Sequence, residues 1–323
     1  MNQSTFSVTE PERLDTFLSK TLDVTRNQVV QLIKQNCITV EGKRVAKPGL
    51  KLKIDQKVIV DFPEAKETPA LDVDFDVEIL YEDDDLLVIN KPSGLTVHPA
   101  PSVKEATLVD WLKHKGIRLS TISGEERHGI VHRLDKGTSG AMVVAKNNEA
   151  HEALSQQLQD KSMGRYYLAV ISPPLKEDLC IIDKPIGRSS SNRLKMAHVD
   201  HGKEARTQFK KLLPSNDETH ELVACKLFTG RTHQIRVHLE TMSRHIEGDH
   251  LYGFKSKKDK IDRILLHAYL LYFVHPKSGQ TERFSAPVPE AMQSYLEHHY
   301  DTEKLHEVTH SNFIEHSFNA DTL

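Results

Sequence analysis

Short apolar runs, separated by turn residues, dominate the chain from residue 77 to about residue 300. Four of them predict β-strands, at residues 77–81, 86–90, 141–145 and 167–171. The turn at residues 82–85 joins the first two as a hairpin, and a helix is predicted at residues 148–158. Because strands and helices do not alternate regularly, a doubly wound parallel fold is disfavoured. The pattern predicts an α+β domain on a mixed, largely antiparallel sheet.

The first 62 residues predict a separate small α/β unit. Leu14 and Leu18 mark the apolar face of a first helix, and the capping spacing after Thr25 predicts a second. Residues 37–45 predict a strand, a turn and a strand. Residues 63–76 contain two prolines and several charges, and they predict a linker to the second domain, residues 77–300.

The charge is unevenly distributed, although the net charge of the whole chain is only -3. Residues 1–60 hold ten lysines and arginines against six acids, whereas residues 301–323 hold one lysine against five acids. We expect four cations of the first domain to lie outside, where they could follow a phosphate backbone: Arg13, Arg26, Lys34 and Arg44. The alternative is that these charges only solvate a small domain. Residues 301–323 predict a solvated acidic tail.

Composition and terminal patterns exclude several classes of protein. The cysteines Cys37, Cys180 and Cys225 are odd in number and lack C-x-x-C spacing, which favours neither a disulfide framework nor a structural zinc site. The first residues lack the basic and apolar segments of a secretory signal. The longest apolar stretch, residues 264–274, is too short to span a bilayer. We therefore expect a cytoplasmic protein without a membrane partner.

The densest polar cluster lies at residues 127–140, where Asp135 is the single carboxylate among several cations. Such a carboxylate is expected to stay ionised at neutral pH and could act as a nucleophile. Gly137 and Gly140 permit backbone turns that other residues resist. The alternative interpretation is a salt-bridged surface turn, and His132-Arg133-Leu134-Asp135 alone does not decide between the two.

Several further segments accompany this cluster. They are Asn90-Lys91-Pro92-Ser93-Gly94-Leu95-Thr96-Val97-His98-Pro99, Arg165-Tyr166-Tyr167-Leu168-Ala169, Thr229-Gly230-Arg231-Thr232-His233-Gln234-Ile235-Arg236-Val237-His238, Gly248-Asp249 with Tyr252-Gly253, and Leu266-His267-Ala268. In this order, the set resembles the RluA-type family of RNA pseudouridine synthases across the whole second domain. The first domain, with Arg13-Leu14-Asp15 near its start, resembles the S4 RNA-binding domain.

The resemblance implies isomerisation of uridine to pseudouridine, which moves the ribose bond from N1 to C5 of the base. Nothing is oxidised or reduced, so the reaction requires no redox cofactor, and we expect neither a cofactor nor a metal. By similarity, Asp135 is the catalytic carboxylate, acting by attack on the sugar carbon or by removing a sugar proton. Tyr167 stacks on the base and helps with a proton, and Arg231 pairs with Asp135. An isolated tyrosine is more often a core aromatic, and Tyr166 should lie on the opposite strand face.

The resemblance also implies how RNA is handled. The target nucleotide must leave its stem, and Arg133 matches the position that enters the space left behind. His132 and Lys136 are further candidate RNA contacts, and Leu266 is either a pocket wall or an ordinary core residue. Residues 97–101, 185–187 and 202–205 most resemble a subgroup that modifies several uridines in one stem-loop of large-subunit (23S) rRNA. The expected partner is that RNA or a pre-50S particle, bound by a monomer.

Three alternatives remain open. A related enzyme could act on transfer RNA, and a non-catalytic S4-type protein could assist ribosome assembly. The third is a zinc protease, because His306-Glu307-Val308-Thr309-His310 is an H-E-x-x-H motif followed by His316. Phe313 replaces the glycine that would turn the chain back toward a metal, and a continuing helix would carry His316 away.

Overall fold

The computed structural model describes residues 2–22, 26–62, 72–100, 103–121, 128–254 and 261–318. The chain divides into two compact units, Met1–Leu71 and Asp72–Leu323. Most of the predicted linker, residues 63–71, lies outside the described residues, as does Thr25.

The first unit packs two helices against a small antiparallel sheet. Its elements in chain order are β1 (Asn2–Ser7), α1 (Leu14–Thr21), α2 (Arg26–Lys34), β2 (Ile38–Val40), β3 (Lys43–Arg44) and β4 (Lys57–Phe62). The strand order is β1-β4-β2-β3. Leu14, Phe17 and Leu18 of α1 are buried together with Val29 and Ile33 of α2. The apolar spacing of both helices therefore forms this core.

The second unit is built on a ten-stranded mixed sheet, which confirms the predicted fold class. Its strands are β5 (Glu78–Glu82), β6 (Leu86–Lys91), β7 (Ser139–Ala145), β8 (Gly164–Ser172), β9 (Leu179–Asp183), β10 (Ile186–Arg188), β11 (Met196–His198), β12 (Arg206–Pro214), β13 (Glu221–Leu227), β14 (His245–Ile246), β15 (Leu266–Val274) and β16 (Thr281–Ser285). The order β5-β6-β7-β15-β8-β13-β12-β9 is extended by β14 on β8 and β16 on β15, whereas β10 and β11 form a separate hairpin. Only β7 and β15 pair in parallel among the described strands.

Helices cover both faces of this sheet. They are α3 (Leu108–His114), α4 (Asn148–Gln159), α5 (Gln234–Thr241), α6 (Glu290–His299), α7 (Thr302–Val308) and α8 (Ser311–Ser317). Asn147 caps α4 by accepting from the backbone N–H of Ala150, at the position where the sequence predicts a helix start. None of the helices in the described residues is long and apolar enough to cross a membrane.

The central strand β8 separates two cores. Successive side chains of a strand point to opposite faces, so Tyr167 and Ala169 enter the core that contains α3 and α5. Tyr166 and Leu168 enter the core that contains α6, α7 and α8. The prediction that Tyr166 and Tyr167 face opposite ways is confirmed.

The C-terminal segment differs from the expected solvated tail. It forms α7 and α8, whose residues Leu305, Val308 and Ile314 are buried in the core beneath the sheet, together with Phe318. The acidic residues alternate with these apolar residues at helical spacing, so the segment is amphipathic. The net charge alone does not show this pattern, and it led to the prediction of a solvated tail.

The H-E-x-x-H motif in this segment does not lie on one helix. His306 belongs to α7, which ends at Val308. His310 is the N-cap of α8 and accepts a hydrogen bond from the backbone N–H of Asn312. The two histidines therefore lack the one-turn spacing on a common face that a zinc protease needs. The sequence predicted a helix that continues through the motif. In the structure, α7 instead ends at Val308, between the two histidines.

Candidate active site

Asp135 lies in the loop that leads into β7, and a glycine sets the position of this loop. Gly140 has a φ of +121°, which disfavours other residues. A Cβ at this position would lie 2.2 Å from the carbonyl oxygen of Ala268 on β15. Because Gly140 and Ala268 are partners in the parallel pair of β7 and β15, only glycine permits this close approach. The loop therefore ends at the centre of the sheet.

Arg236 holds Asp135 from the neighbouring helix α5. Its Nη1 lies 3.6 Å from Oδ2 of Asp135. Its Nε and Nη2 donate to the two carboxylate oxygens of Asp249, at 2.7 and 2.9 Å. The ring of Tyr252 lies 4.7 Å from the guanidinium carbon. A bidentate carboxylate and an aromatic ring fix the guanidinium in place, with its remaining nitrogen beside Asp135.

The expected pairing of Arg231 with Asp135 is therefore wrong in its choice of arginine. Arg231 lines the same recess as Asp135, but its side chain is exposed and its Nε donates to the carbonyl of Glu204 at 2.8 Å. Arg231 precedes α5, whereas Arg236 lies within the helix and is directed by it. The segment from Thr229 to His238 contains two arginines. The sequence could have distinguished them by the helix face on which each one lies.

Tyr167 and Leu266 line the recess beside Asp135. Both side chains are buried, Tyr167 from β8 and Leu266 from the start of β15. Burial raises the pKa of Tyr167 to about 12, and the negative charge of Asp135 acts in the same direction. The phenol therefore keeps its proton at neutral pH. The recess has an empty volume of about 460 Å³ and opens to solvent.

The other predicted contacts around Asp135 occupy different environments. Arg133 is exposed, lines the recess and lies 3.2 Å from Nε2 of His98. Lys136 is exposed and pairs with Glu105 at 2.9 Å. His132 is used inside the fold: its Nε2 accepts from the backbone N–H of Val143, and burial lowers its pKa to about 3. His132 is therefore neutral and tied to the backbone of β7, and its contact with RNA stays a prediction.

Lys91 is a residue whose importance the sequence did not reveal. It is fully buried, and its Nζ donates to the carbonyls of Pro92 and Leu95 at 2.8 Å each. Burial lowers the pKa of Lys91 to about 7, whereas the nearby charge of Asp135 opposes that shift. The lysine thus ties together the backbone of residues 92–95, close enough to Asp135 for the two groups to interact electrostatically. The sequence feature that could have indicated Lys91 is its position in the Asn90-Lys91-Pro92 segment.

The four predicted cations of the first unit are exposed. Arg13 donates to both carboxylate oxygens of Asp15, at 2.9 and 2.7 Å. Arg26 donates to the hydroxyl of Thr16 at 3.2 Å. Lys34 ends α2, and Arg44 lies on the edge strand β3. Each of these side chains is accessible to an anionic partner.

The metal-ligating side chains that cluster among the described residues lie outside the recess. Asp83, Asp85 and His275 bring their ligand atoms within 4.8 Å of one another. Nε2 of His275 is 2.7 Å from Asp83, and Nδ1 accepts from the backbone of Lys277 and Ser278. Both nitrogens of His275 are occupied, so the cluster connects two hairpins.

One recess of the mixed sheet is lined by three features. They are a carboxylate that an arginine holds, an aromatic ring, and a wall of apolar side chains. An ionisable group beside a flat ring and apolar walls is typical of an enzyme site that takes a planar, polar substrate such as a base with its sugar. Residues 85–241 match the family model described as RNA pseudouridylate synthase, and residues 12–58 match the S4 domain model.

The relatives agree over nearly the whole chain. An uncharacterised RNA pseudouridine synthase of Helicobacter pylori is 46% identical over 319 residues, covering 97% of each chain. The ribosomal large subunit pseudouridine synthase D of Zymomonas mobilis is 40% identical over 296 residues, covering 87% of this chain and 92% of the other. This chain therefore belongs to the RNA pseudouridine synthase family.

A solved structure supports the fold independently. Human RNA Pseudouridylate Synthase Domain Containing 1 superposes with a TM-score of 0.57 at 24% identity, covering 73% of this chain and 95% of the human one. At this identity the similarity concerns the fold alone.

Proposed function

We propose that this RNA pseudouridine synthase modifies uridines of large-subunit (23S) rRNA, with Asp135 as the reacting carboxylate and the target nucleotide turned out of its stem. The observation that carries the proposal is the contact of Arg236 with Asp135 in a recess that Tyr167 and Leu266 complete. This arrangement presents an anionic oxygen next to a flat ring and an apolar wall, which suits a ribose and its base.

The reaction needs an anion near the sugar and a site that retains the detached base. The bond from N1 to the ribose carbon breaks, the base turns, and C5 joins the same carbon. One proton leaves C5 and one is gained at N1, so atoms and electrons balance without an oxidant. Attack of Asp135 on the sugar carbon and removal of a sugar proton both use the ionised carboxylate that Arg236 holds.

Tyr167 is assigned a stacking and donor role. Its raised pKa of about 12 keeps the phenol protonated at neutral pH. A protonated phenol donates a hydrogen bond, and it accepts the C5 proton only by passing on its own. The ring meanwhile supports the flipped base, and Leu266 closes the recess beside it.

RNA handling is shared between the recess and the S4 domain. A stacked uridine is inaccessible to Asp135, and extrusion leaves a gap that a flat guanidinium fills well. Arg133 is exposed at the rim of the recess and carries such a group. The exposed cations of the first unit supply contacts to RNA phosphates. We propose further that the protein acts as a monomer in the cytoplasm.

The choice of RNA rests on the relative from Zymomonas mobilis, whose name specifies the ribosomal large subunit. The alignment covers 92% of that protein and 87% of this chain. The same two domains suit transfer RNA chemically, so a test must offer both substrates.

The test is a map of pseudouridines in the rRNA and transfer RNA of host cells with and without the gene. Purified protein is then incubated with unmodified large-subunit rRNA, with pre-50S particles and with transfer RNA. The proposal expects pseudouridines that disappear from large-subunit rRNA alone and are restored in vitro. Unchanged rRNA with lost pseudouridines in transfer RNA would contradict the rRNA assignment.

A further inference from the structure

Among the residues that the structure describes, no carboxylate pairs with one buried arginine of the recess. Arg165 lies on β8 and is only 7% exposed. It lines the recess together with Asp135 and Tyr167. Within the residues that the structure describes, its guanidinium pairs with no carboxylate, and its buried Nε has no hydrogen-bond partner. The neighbouring charge of Arg231 opposes its own.

An unpaired buried cation is costly, because burial removes the water that stabilises its charge. Folding alone would favour an apolar residue or a carboxylate partner here. Arg165 is directed toward the recess because it shares a strand face with Tyr167, two residues further along β8. The missing partner is therefore expected to arrive with the substrate.

Gly230 makes room for this guanidinium. A Cβ at position 230 would lie 2.6 Å from Nη1 of Arg165. The Thr229-Gly230-Arg231 turn thus forms one wall of the cavity that the guanidinium occupies. Since the nearest atom is the tip of a flexible side chain, an alanine would be accommodated by moving the guanidinium.

We infer that Arg165 is a substrate-binding residue, which donates hydrogen bonds to a carbonyl oxygen of the target uracil and stabilises the negative charge on the detached base. The inference rests on the proposed function. The depth of Arg165 in the recess indicates that it contacts the base rather than a phosphate, because a flipped nucleotide enters base first. Arg165 is buried, whereas Arg133 and Arg231 are exposed at the rim. Uracil offers two carbonyl acceptors, and a guanidinium has only donors.

The charge argument follows the electrons of the reaction. When the bond from N1 to the ribose breaks, its electron pair stays with the base and spreads over the two carbonyl oxygens. The pair returns to the sugar carbon when C5 forms the new bond, and the proton lost from C5 balances the one gained at N1. A fixed cation beside a carbonyl therefore stabilises the state between these two events more than it stabilises bound uridine.

The test is a cycle between protein and substrate changes, on a stem-loop that carries one mapped target uridine. Wild type, R165Q and G230A are each given RNA with uridine, 4-thiouridine or 2-thiouridine at that site, because sulfur accepts hydrogen bonds weakly. A fourth RNA carries an uncharged methylphosphonate next to the target. Turnover under saturating RNA, RNA affinity and circular dichroism are measured for every variant.

We expect R165Q to lower turnover on uridine roughly 10- to 150-fold, as for loss of a hydrogen bond to a charged group. G230A keeps the cation but displaces it, and should lower turnover in the same direction with an unchanged fold. One of the two thio substitutions should slow wild type but add little to the loss in R165Q, since both changes remove the same contact.

Two outcomes overturn the inference alone. In the first, wild type converts uridine, but the loss of turnover from R165Q and the loss from either thio substitution simply multiply when they are combined. In the second, the loss from R165Q overlaps with that from the methylphosphonate instead, which would indicate a phosphate contact. A wild-type protein that leaves uridine unchanged in this RNA overturns the proposed function, and the inference with it.

Discussion

Arg236 binds two carboxylates at once, and its role depends on the geometry of its planar group. Asp249 takes two of its nitrogens at 2.7 and 2.9 Å, and the third is left for Asp135 at 3.6 Å. Lysine has the same charge but no fork, so it cannot serve both partners.

We therefore predict that R236K lowers turnover roughly 10- to 150-fold, the range for losing a charge-assisted hydrogen bond, here to Asp249, which positions the cation beside Asp135. RNA affinity should change much less, because phosphate contacts supply most of it. The measurement is single-turnover kinetics alongside RNA binding. R231K is the matched control from the same segment, since within the described part of the chain the Arg231 side chain donates to the carbonyl of Glu204 and to no carboxylate. A larger loss in R231K than in R236K would contradict the assignment.

The sequence could predict that Asp135 and Tyr167 belong to one site, because each lies in a short motif with fixed local spacing, and the structure places both in the same recess. It could not choose between Arg231 and Arg236, because the choice depends on the direction of a helix relative to a distant loop. Lys91 and Arg165 were also present in the quoted motifs. Both are buried, and within the described residues neither pairs with a carboxylate, which only tertiary packing reveals.

At the scale of elements, α7 and α8 close the core beneath the sheet. Ile314 is fully buried there, whereas its neighbour Phe313 is 45% exposed. We predict that I314A lowers the free energy of unfolding by about 2–5 kcal/mol, the usual cost of such a cavity. F313A is the matched control and should cost far less. Denaturant unfolding measures both, and equal losses would indicate a tail that does not pack.

The histidine of β15 connects this strand to its neighbours. Nδ1 of His267 is hydrogen-bonded to Ser139 of β7 at 2.8 Å, and Nε2 donates to the carbonyl of Ala286 at 3.1 Å. Burial lowers the pKa of His267 to about 4. The ring is therefore neutral in the folded protein over a pH range in which the unfolded chain takes up a proton.

Stability should consequently depend on pH between about 6.5 and about 4. In this window the unfolded state binds more protons, so the free energy of unfolding falls as the pH falls. We predict that H267Q reduces the slope of this decline, while losing some stability at pH 8 from its imperfect hydrogen bonds. Denaturant unfolding from pH 8 to pH 4 measures it. An identical acid slope in wild type and H267Q would contradict the prediction.

Four strands of the second unit, β5 to β8, were predictable because their apolar runs are bounded by turns, whereas β9 to β16 were not predicted. The hairpin of β5 and β6 and the helix α4 follow directly from local pattern. The C-terminal helices were not predicted, because the abundance of acids in that segment obscured the spacing of Leu305, Val308 and Ile314. Sheet order was also beyond the sequence, since the parallel pairing of β7 with β15 joins residues that are far apart in the chain.

At the scale of the whole molecule, our proposal assigns phosphate contacts to the first unit and catalysis to the second. Lys34, Arg44 and Arg26 are exposed on the first unit. Replacing all three with glutamine should weaken RNA binding and reduce the slope of log affinity against log salt by roughly 2 to 3, given about 0.7–0.9 per lost phosphate contact. Turnover at saturating RNA should be nearly unchanged.

The matched control for this triple variant replaces three exposed lysines of the second unit, Lys161, Lys176 and Lys304, with glutamine. Binding titrations at several salt concentrations provide the measurement. An equal change of slope in the control would show that total charge matters, rather than the cations of the S4 domain.

The central claim is that one carboxylate performs the chemistry while the rest of the chain holds the RNA. Asp135→Asn keeps the shape of the side chain and removes its charge, so the purified variant is assayed for pseudouridine formation and for RNA binding side by side with wild type. We predict no detectable turnover, with RNA affinity unchanged or tighter because a negative charge facing the RNA is gone. Turnover at the wild-type rate in this variant would contradict the account.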